Sequence, residues 1–96
     1  MSVSEREILA YLIERFAALT RDSGAGPVDA ATALRNLDLR SIIVLTVLAD
    51  LQDHFGLRDE LIETMMAQGL RLDDYTIGAI ARLIADILGA GPGHGQ

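Results

Sequence analysis

The stretch that decides the fold is DLRSIIVLTVLADLQDHFG, residues 38–56. Placed at about 100° per residue, it forms a helix with one broad apolar face. That face consists of Val44, Leu45, Leu48, Leu51 and Phe55, and the polar residues Thr46, Asp50, Asp53 and His54 lie elsewhere. Asp38 and Ser41 favour a helix start, and Gly56 favours a helix end. We therefore predict a helix that begins between residues 38 and 41 and ends at Phe55.

Two apolar residues of this helix do not fit its apolar face. Ile43 lies among the polar residues, and Val47 lies at the edge of the face. We expect both side chains to be partly exposed and therefore able to contact a partner.

The first helix is predicted from its start signal and its periodicity. Ser4 and Glu7 match a capping box, in which each side chain binds a backbone N–H group of the first turn. Four apolar residues then recur at helical spacing: Ile8, Leu12, Phe16 and Leu19. Residues 21–28 contain two glycines and a proline and are predicted to be a loop. The loop continues through Leu34 and Leu37, which are expected to hold it against the core.

Two more helices are predicted in the second half of the chain. Asp59 opens a short third helix that ends at Gly69, with Leu61, Ile62, Met65 and Met66 as its apolar residues. Met65 and Met66 are expected to pack in the core. A fourth helix begins near Asp74 and ends at Gly89, with Ile77, Ile80, Ile84 and Ile87 on one stripe. The prediction is an all-α four-helix bundle with a long first loop and a short third helix. Residues 1–89 form one domain, and residues 90–96 are expected to be a disordered tail.

The composition excludes several classes of function. The chain has eight Lys and Arg, all arginine, against fourteen Asp and Glu, which gives a net charge of −6. This charge opposes binding to nucleic acid or to anionic membranes. The absence of cysteine and lysine excludes thiolate metal sites, cysteine nucleophiles and lysine Schiff bases. Without a signal sequence or a membrane span, we expect a cytoplasmic protein. We also expect the chain to be a monomer.

Three segments together resemble the acyl and peptidyl carrier proteins. They are NLDLRSI (residues 36–42), DHFG (residues 53–56) and TIGAI (residues 76–80), and the resemblance covers most of the chain. In that family a long first loop precedes a second helix, at whose start a serine carries 4′-phosphopantetheine. The resemblance implies the carrier-protein bundle and assigns the attachment site to Ser41, with Ile42 as the apolar residue that follows it.

The resemblance also implies partner proteins and the surface on which they dock. The partners are a phosphopantetheinyl transferase, acyl- or aminoacyl-loading enzymes and downstream synthases, so the chain itself is not an enzyme. The second helix would be the docking surface, with Asp50 and Asp53 meeting basic patches, and Ile43 and Val47 would add apolar contact.

The chain departs from the family pattern at three places. Arg40 replaces the aspartate that usually precedes the serine, Asp38 stands where glycine is common, and the connection from Phe55 to Ile77 is longer. A guanidinium at position 40 could pair with the phosphate of the arm, so we expect Arg40 and Asp38 to form the surroundings of the attachment site.

The same residues allow other interpretations. The chain could be an unmodified protein-interaction module that has lost the arm, which Arg40 favours, or a helix-turn-helix DNA-binding domain, which the acidic charge opposes. Asp50 and His54 are more typical of a surface ion pair than of a metal site. A catalytic triad is excluded because about 20 Å of helix separates Ser41 from His54. The hydroxyls of Tyr11 and Tyr75 are expected to lie in water.

Overall fold

The computed structural model describes residues 4–21, 27–37 and 39–89, and for Ser41 it describes the backbone alone. The described residues form four α-helices: α1 (Glu5–Thr20), α2 (Ser41–Phe55), α3 (Glu60–Ala67) and α4 (Ile77–Gly89). Two 3₁₀ helices, Leu34–Leu37 and Leu72–Asp74, lie in the connections. No strand occurs in these three ranges, so the all-α class is confirmed. The predicted tail lies outside the described residues, as do the glycines of the first loop.

Helix α1 starts with the predicted capping box. The Ser4 hydroxyl accepts the N–H of Glu7 at 3.2 Å, and the Glu7 carboxylate accepts the N–H of Ser4 at 3.1 Å. Ile8, Leu12 and Phe16 are buried as predicted, but Leu19 is 41% exposed. The buried position at the helix end belongs to Thr20, whose hydroxyl donates to the carbonyl of Phe16 at 3.0 Å. This hydrogen bond lets a hydroxyl occupy an apolar site.

Helix α2 has the predicted bounds, but the side of the helix that is buried is rotated about the helix axis relative to the predicted side. Gly56 ends the helix in the left-handed conformation, at φ 69°. Val44, Leu48 and Leu51 are buried as predicted, whereas Leu45 is 38% exposed and Val47 is only 2% exposed.

The exposure predicted for Val47 was therefore wrong, and so was its assignment to a docking surface. Asp50 and His54, which follow Val47 on the same side of α2, contact Arg15 and Tyr11 of α1. Side chains of α1 thus reach the side of α2 that carries Val47. A helical periodicity shows which residues share a side but not where the neighbouring helix lies.

Helix α3 is held at its start by a side chain from α2. Gln52 is buried, and its Oε1 accepts the N–H of Ile62 at 3.0 Å, in the first turn of α3. Met65 is buried, but Met66 is 71% exposed, so the prediction that Met66 packs in the core was wrong. An eight-residue helix turns only a narrow stripe towards the core, and Met66 lies beside that stripe.

The long first connection is fastened to the start of α4. The N–H of Leu34 donates to the carbonyl of Tyr75 at 2.9 Å, and the N–H of Ile77 donates to the carbonyl of Thr32 at 3.0 Å. Leu34 and Leu37 are buried, which confirms that they hold this connection against the core. An ion pair between Arg35 and Asp74 joins the two 3₁₀ helices.

Helix α4 begins at Ile77, three residues later than predicted, because the chain from Leu72 to Asp74 forms a 3₁₀ turn first. The hydroxyl of Thr76 accepts the N–H of Ala79 at 3.0 Å and caps the first turn. Ile77, Ile80 and Ile84 are buried as predicted.

Candidate functional site

Ser41 is the first residue of α2. Arg40 precedes it as the N-cap residue, with an extended backbone at φ −69° and ψ 151°, and the Arg40 carbonyl accepts the N–H groups of Ile43 and Val44 at 3.0 and 3.1 Å. The Arg40 side chain is exposed and makes no capping hydrogen bond. The start of α2 therefore combines an exposed guanidinium with the positive end of a helix dipole, an arrangement that favours an anion. Asp38, predicted to lie beside this position, is outside the described residues, as is the Ser41 side chain.

The helix surface next to Ser41 is apolar and exposed. Ile42 is 67% exposed, and Leu45 follows one turn later. The hydroxyl of Thr46 is bound to the carbonyl of Ile42 at 2.7 Å, so it adds little polar surface. This patch was missed at the level of sequence, since hydrophobicity alone assigned Leu45 to the core.

The predicted docking residues do not form one surface. Asp50 pairs with Arg15, with 2.9 Å between Oδ2 and Nη2, and is turned towards α1. Asp53 is exposed and makes no ion pair with any described residue. Ile43 is half-buried, which agrees with the partial exposure expected, and Val47 belongs to the core. Only Asp53 shares the exposed side of α2 with Ile42 and Leu45.

His54 is part of an aromatic cluster. Its ring stacks on Tyr11 with 4.1 Å between ring centroids and 8° between planes, and Phe55 meets both rings edge-on. Asp50 pairs with Arg15 rather than with His54, so the predicted Asp50–His54 ion pair was wrong. Within the described ranges, no group of three His, Asp or Glu side chains could hold a metal ion.

Tyr75 is a core residue, contrary to the prediction that its hydroxyl lies in water. The side chain is 4% exposed, and its hydroxyl lies 3.1 Å from the carbonyl oxygen of Met65 and 2.6 Å from Oε1 of Gln68. Burial raises the pKa of Tyr75 above its ordinary value of 10.0 because the charged phenolate loses its hydration. Tyr75 thus ties the end of α3 to the start of α4.

Among the open depressions on the described part of the surface are two near the ends of α2 and α3. One, of about 540 Å³, lies at the C-terminal end of α2 and is lined by Ala49, Gln52, Asp53, Gly56, Arg58 and Asp59. The other, of about 340 Å³, lies between the end of α3 and α4, and its walls include Leu70, Tyr75 and Leu83.

Comparison with known proteins gives no match to a protein family, to a curated protein or to a solved structure. None of the helices in the described part of the chain is long and apolar enough to cross a membrane.

Proposed function

We propose that this chain is a free-standing carrier protein of the acyl- or peptidyl-carrier type, with 4′-phosphopantetheine attached to Ser41. The observation that carries the proposal is the position of Ser41 as the first residue of a fifteen-residue helix, directly after a long connection that is fastened to α4. A rigid helix defines where an attached arm begins, and the first turn is the part of a helix best suited to a phosphate. The resemblance of residues 36–56 to carrier proteins supports the same assignment.

The residues around Ser41 fit the phosphate of such an arm. The Arg40 guanidinium is exposed and has no ion pair with a described residue, so it is available to a phosphodiester. When bound, the arm supplies a thiol on which an acyl or aminoacyl group is carried as a thioester. The chain itself contributes the serine hydroxyl for attachment and a positive environment for the phosphate, and partner enzymes carry out the chemistry.

Intact mass after loading tests this proposal. Co-expression with a broad-specificity phosphopantetheinyl transferase should increase the mass of the wild-type chain by one phosphopantetheine group. Ser41→Ala should gain nothing, and Ser23→Ala, which removes a serine from the first loop, should load like the wild type. If the wild-type chain stays at its unmodified mass, the carrier proposal fails and an interaction module without an arm becomes the better interpretation.

The role of Arg40 has a separate test on the loaded protein. Arg40→Asp should change the phosphorus NMR shift of the attached phosphate and increase its mobility, because a carboxylate repels the phosphodiester. An unchanged spectrum would remove Arg40 from the site without affecting the assignment of Ser41.

A further inference from the structure

The depression between the end of α3 and α4 has two walls that are tied together. Leu70, just after α3, forms part of one wall, and Ala79 and Leu83 of α4 belong to the other. Tyr75 also lines the depression, and its hydroxyl lies 3.1 Å from the carbonyl oxygen of Met65 in α3. The volume of about 340 Å³ is within the range of sites that bind small molecules. None of the lining residues belongs to α2, the helix that carries the proposed attachment site.

The apolar part of this depression is open to solvent. Leu70 is 55% exposed, Ala79 is exposed and Leu83 is half-buried. Three apolar side chains from two elements therefore meet water at one place. A ligand that covered them would remove this apolar surface from water, which favours binding.

The depression also holds two opposite charges that are not compensated. Its charged residues are Asp74, Arg82 and Asp86, and Asp74 pairs with Arg35. Arg82 and Asp86 are exposed, and neither forms an ion pair with a described residue. They lie one turn apart on α4, but with arginine before the acid, which is the less favourable order for an ion pair within a helix. The depression therefore offers a cation and an anion side by side.

Asp86 occupies a position that disfavours a carboxylate. It lies in the last turn of α4, where the free carbonyl groups form the negative end of the helix dipole. The last turn contains no basic residue that could offset this repulsion. Local conflicts of this kind are expected at functional sites. A positively charged group on a ligand would relieve the conflict.

We propose that the depression between α3 and α4 binds a free apolar α-amino acid. Arg82 pairs with the carboxylate of the ligand, Asp86 pairs with its ammonium group, and Leu70 and Leu83 contact its side chain. The two charged groups of an α-amino acid share one carbon atom, so both reach side chains that are one helical turn apart. An apolar ligand with a single charge would leave either Arg82 or Asp86 without a partner. This inference does not depend on the proposed carrier function, since the ligand binds without a covalent bond and away from α2.

NMR titration of the wild-type chain with L-leucine and three related compounds tests the proposal. Each compound lacks one feature of leucine: 4-methylpentanoate lacks the ammonium group, 3-methylbutylamine lacks the carboxylate, and glycine lacks the apolar side chain. We expect leucine to bind with a Kd of about 1 mM, about tenfold more tightly than each of the three. Leucine should shift the amide signals of Leu70, Ala79 and Leu83.

Neutralising each charge separately makes the test specific. Asp86→Asn should abolish the preference for leucine over 4-methylpentanoate, and Arg82→Gln should abolish the preference for leucine over 3-methylbutylamine. Glu63→Gln and Arg6→Gln make the same charge changes at exposed residues outside the depression and should keep both preferences. If either control removes a preference as completely as its counterpart, the effect comes from net charge and the proposal fails.

A second pair of variants tests the apolar wall. Leu70→Ser should weaken leucine binding about tenfold, to the level of glycine, because the ligand side chain loses its contact. Met66→Ser is the matched control, since Met66 is 71% exposed but does not line the depression, and it should bind leucine like the wild type. Circular dichroism of both variants shows that the helices are retained.

The titrations also define the results that overturn the proposal. Equal binding of leucine and glycine would exclude an apolar site, and equal binding of leucine and 4-methylpentanoate would exclude a role for Asp86. Unchanged amide signals at a leucine concentration about tenfold above the expected Kd would exclude the site itself. Ser41→Ala should bind leucine like the wild type, so this outcome is distinguishable from a failure of loading, which the intact mass reports.

Discussion

Arg15 and Asp50 connect α1 to α2 through an ion pair in which Nη2 lies 2.9 Å from Oδ2. Both side chains are about half-exposed, so water screens the pair and its contribution to stability is modest. The ion pair nevertheless decides which acidic residue of α2 is available to a partner protein. Asp50 is engaged within the bundle, and Asp53 faces outward.

Neutralising these two carboxylates should therefore have different consequences. Asp50→Asn should lower the free energy of unfolding by about 0.2–1 kcal/mol in low salt, and less in high salt. Asp53→Asn, the matched control, should leave stability unchanged but slow loading by the transferase. Urea unfolding and loading rates measure the two effects, and slower loading in Asp50→Asn alone would contradict this division.

A pair of side-chain truncations tests which side of α2 is buried. Val47→Ala should lower the free energy of unfolding by about 2 kcal/mol, because a buried side chain loses the equivalent of two methylene groups and leaves a cavity. Ile42→Ala removes more atoms but should cost less than about 0.5 kcal/mol, since Ile42 is mostly exposed. Urea unfolding compares the two, and an equal loss would place Val47 at the surface.

The contact between the first connection and α4 predicts an unusual effect of alanine in a helix. A Cβ atom on Gly78 would lie 3.0 Å from the carbonyl oxygen of Ala30, which accepts the N–H of Gly78. Gly78→Ala should therefore destabilise the fold by about 1 kcal/mol or more, although alanine favours helices. Gly89→Ala, where nothing lies within 4 Å, is the control and should be neutral or stabilising in thermal unfolding.

The buried hydroxyl of Tyr75 predicts that the free energy of unfolding depends on pH in the alkaline range. Tyr75→Phe should cost about 1 kcal/mol at neutral pH through the lost hydrogen bond. The raised pKa of the folded state means that the unfolded chain loses the phenolic proton first, so wild-type stability should fall as pH rises above 10.0.

No lysine titrates in that alkaline range, which makes the effect of Tyr75 visible. The Tyr75→Phe variant should lose less stability at alkaline pH than the wild type, whereas Tyr11→Phe should lose as much as the wild type. Urea unfolding at several pH values measures the difference, and parallel curves for the wild type and Tyr75→Phe would contradict the burial of this hydroxyl.

Local signals in the sequence predicted where α1 begins and where α2 begins and ends. The capping box of Ser4 and Glu7 depends on residues three apart, and the end of α2 depends on a left-handed conformation that Gly56 adopts without strain. For the same reason the position of Ser41 in the first turn of α2 was predicted from the sequence. Each of these features is decided by a few neighbouring residues.

Tertiary structure alone decided which side of each helix is covered. Val47 is buried and Leu45 exposed because neighbouring elements pack on one side of α2, and the half-exposed Asp50 is engaged because Arg15 of α1 lies opposite. Tyr75 is buried against the end of α3, where its hydroxyl lies within hydrogen-bond distance of the Met65 carbonyl and the Gln68 side chain. Helical periodicity gives the angle between side chains on one helix, but the direction of the core depends on neighbours distant in sequence. The sequence by itself therefore determined the helices and the place of Ser41, whereas the surface that α2 offers to a partner was decided only when the helices packed.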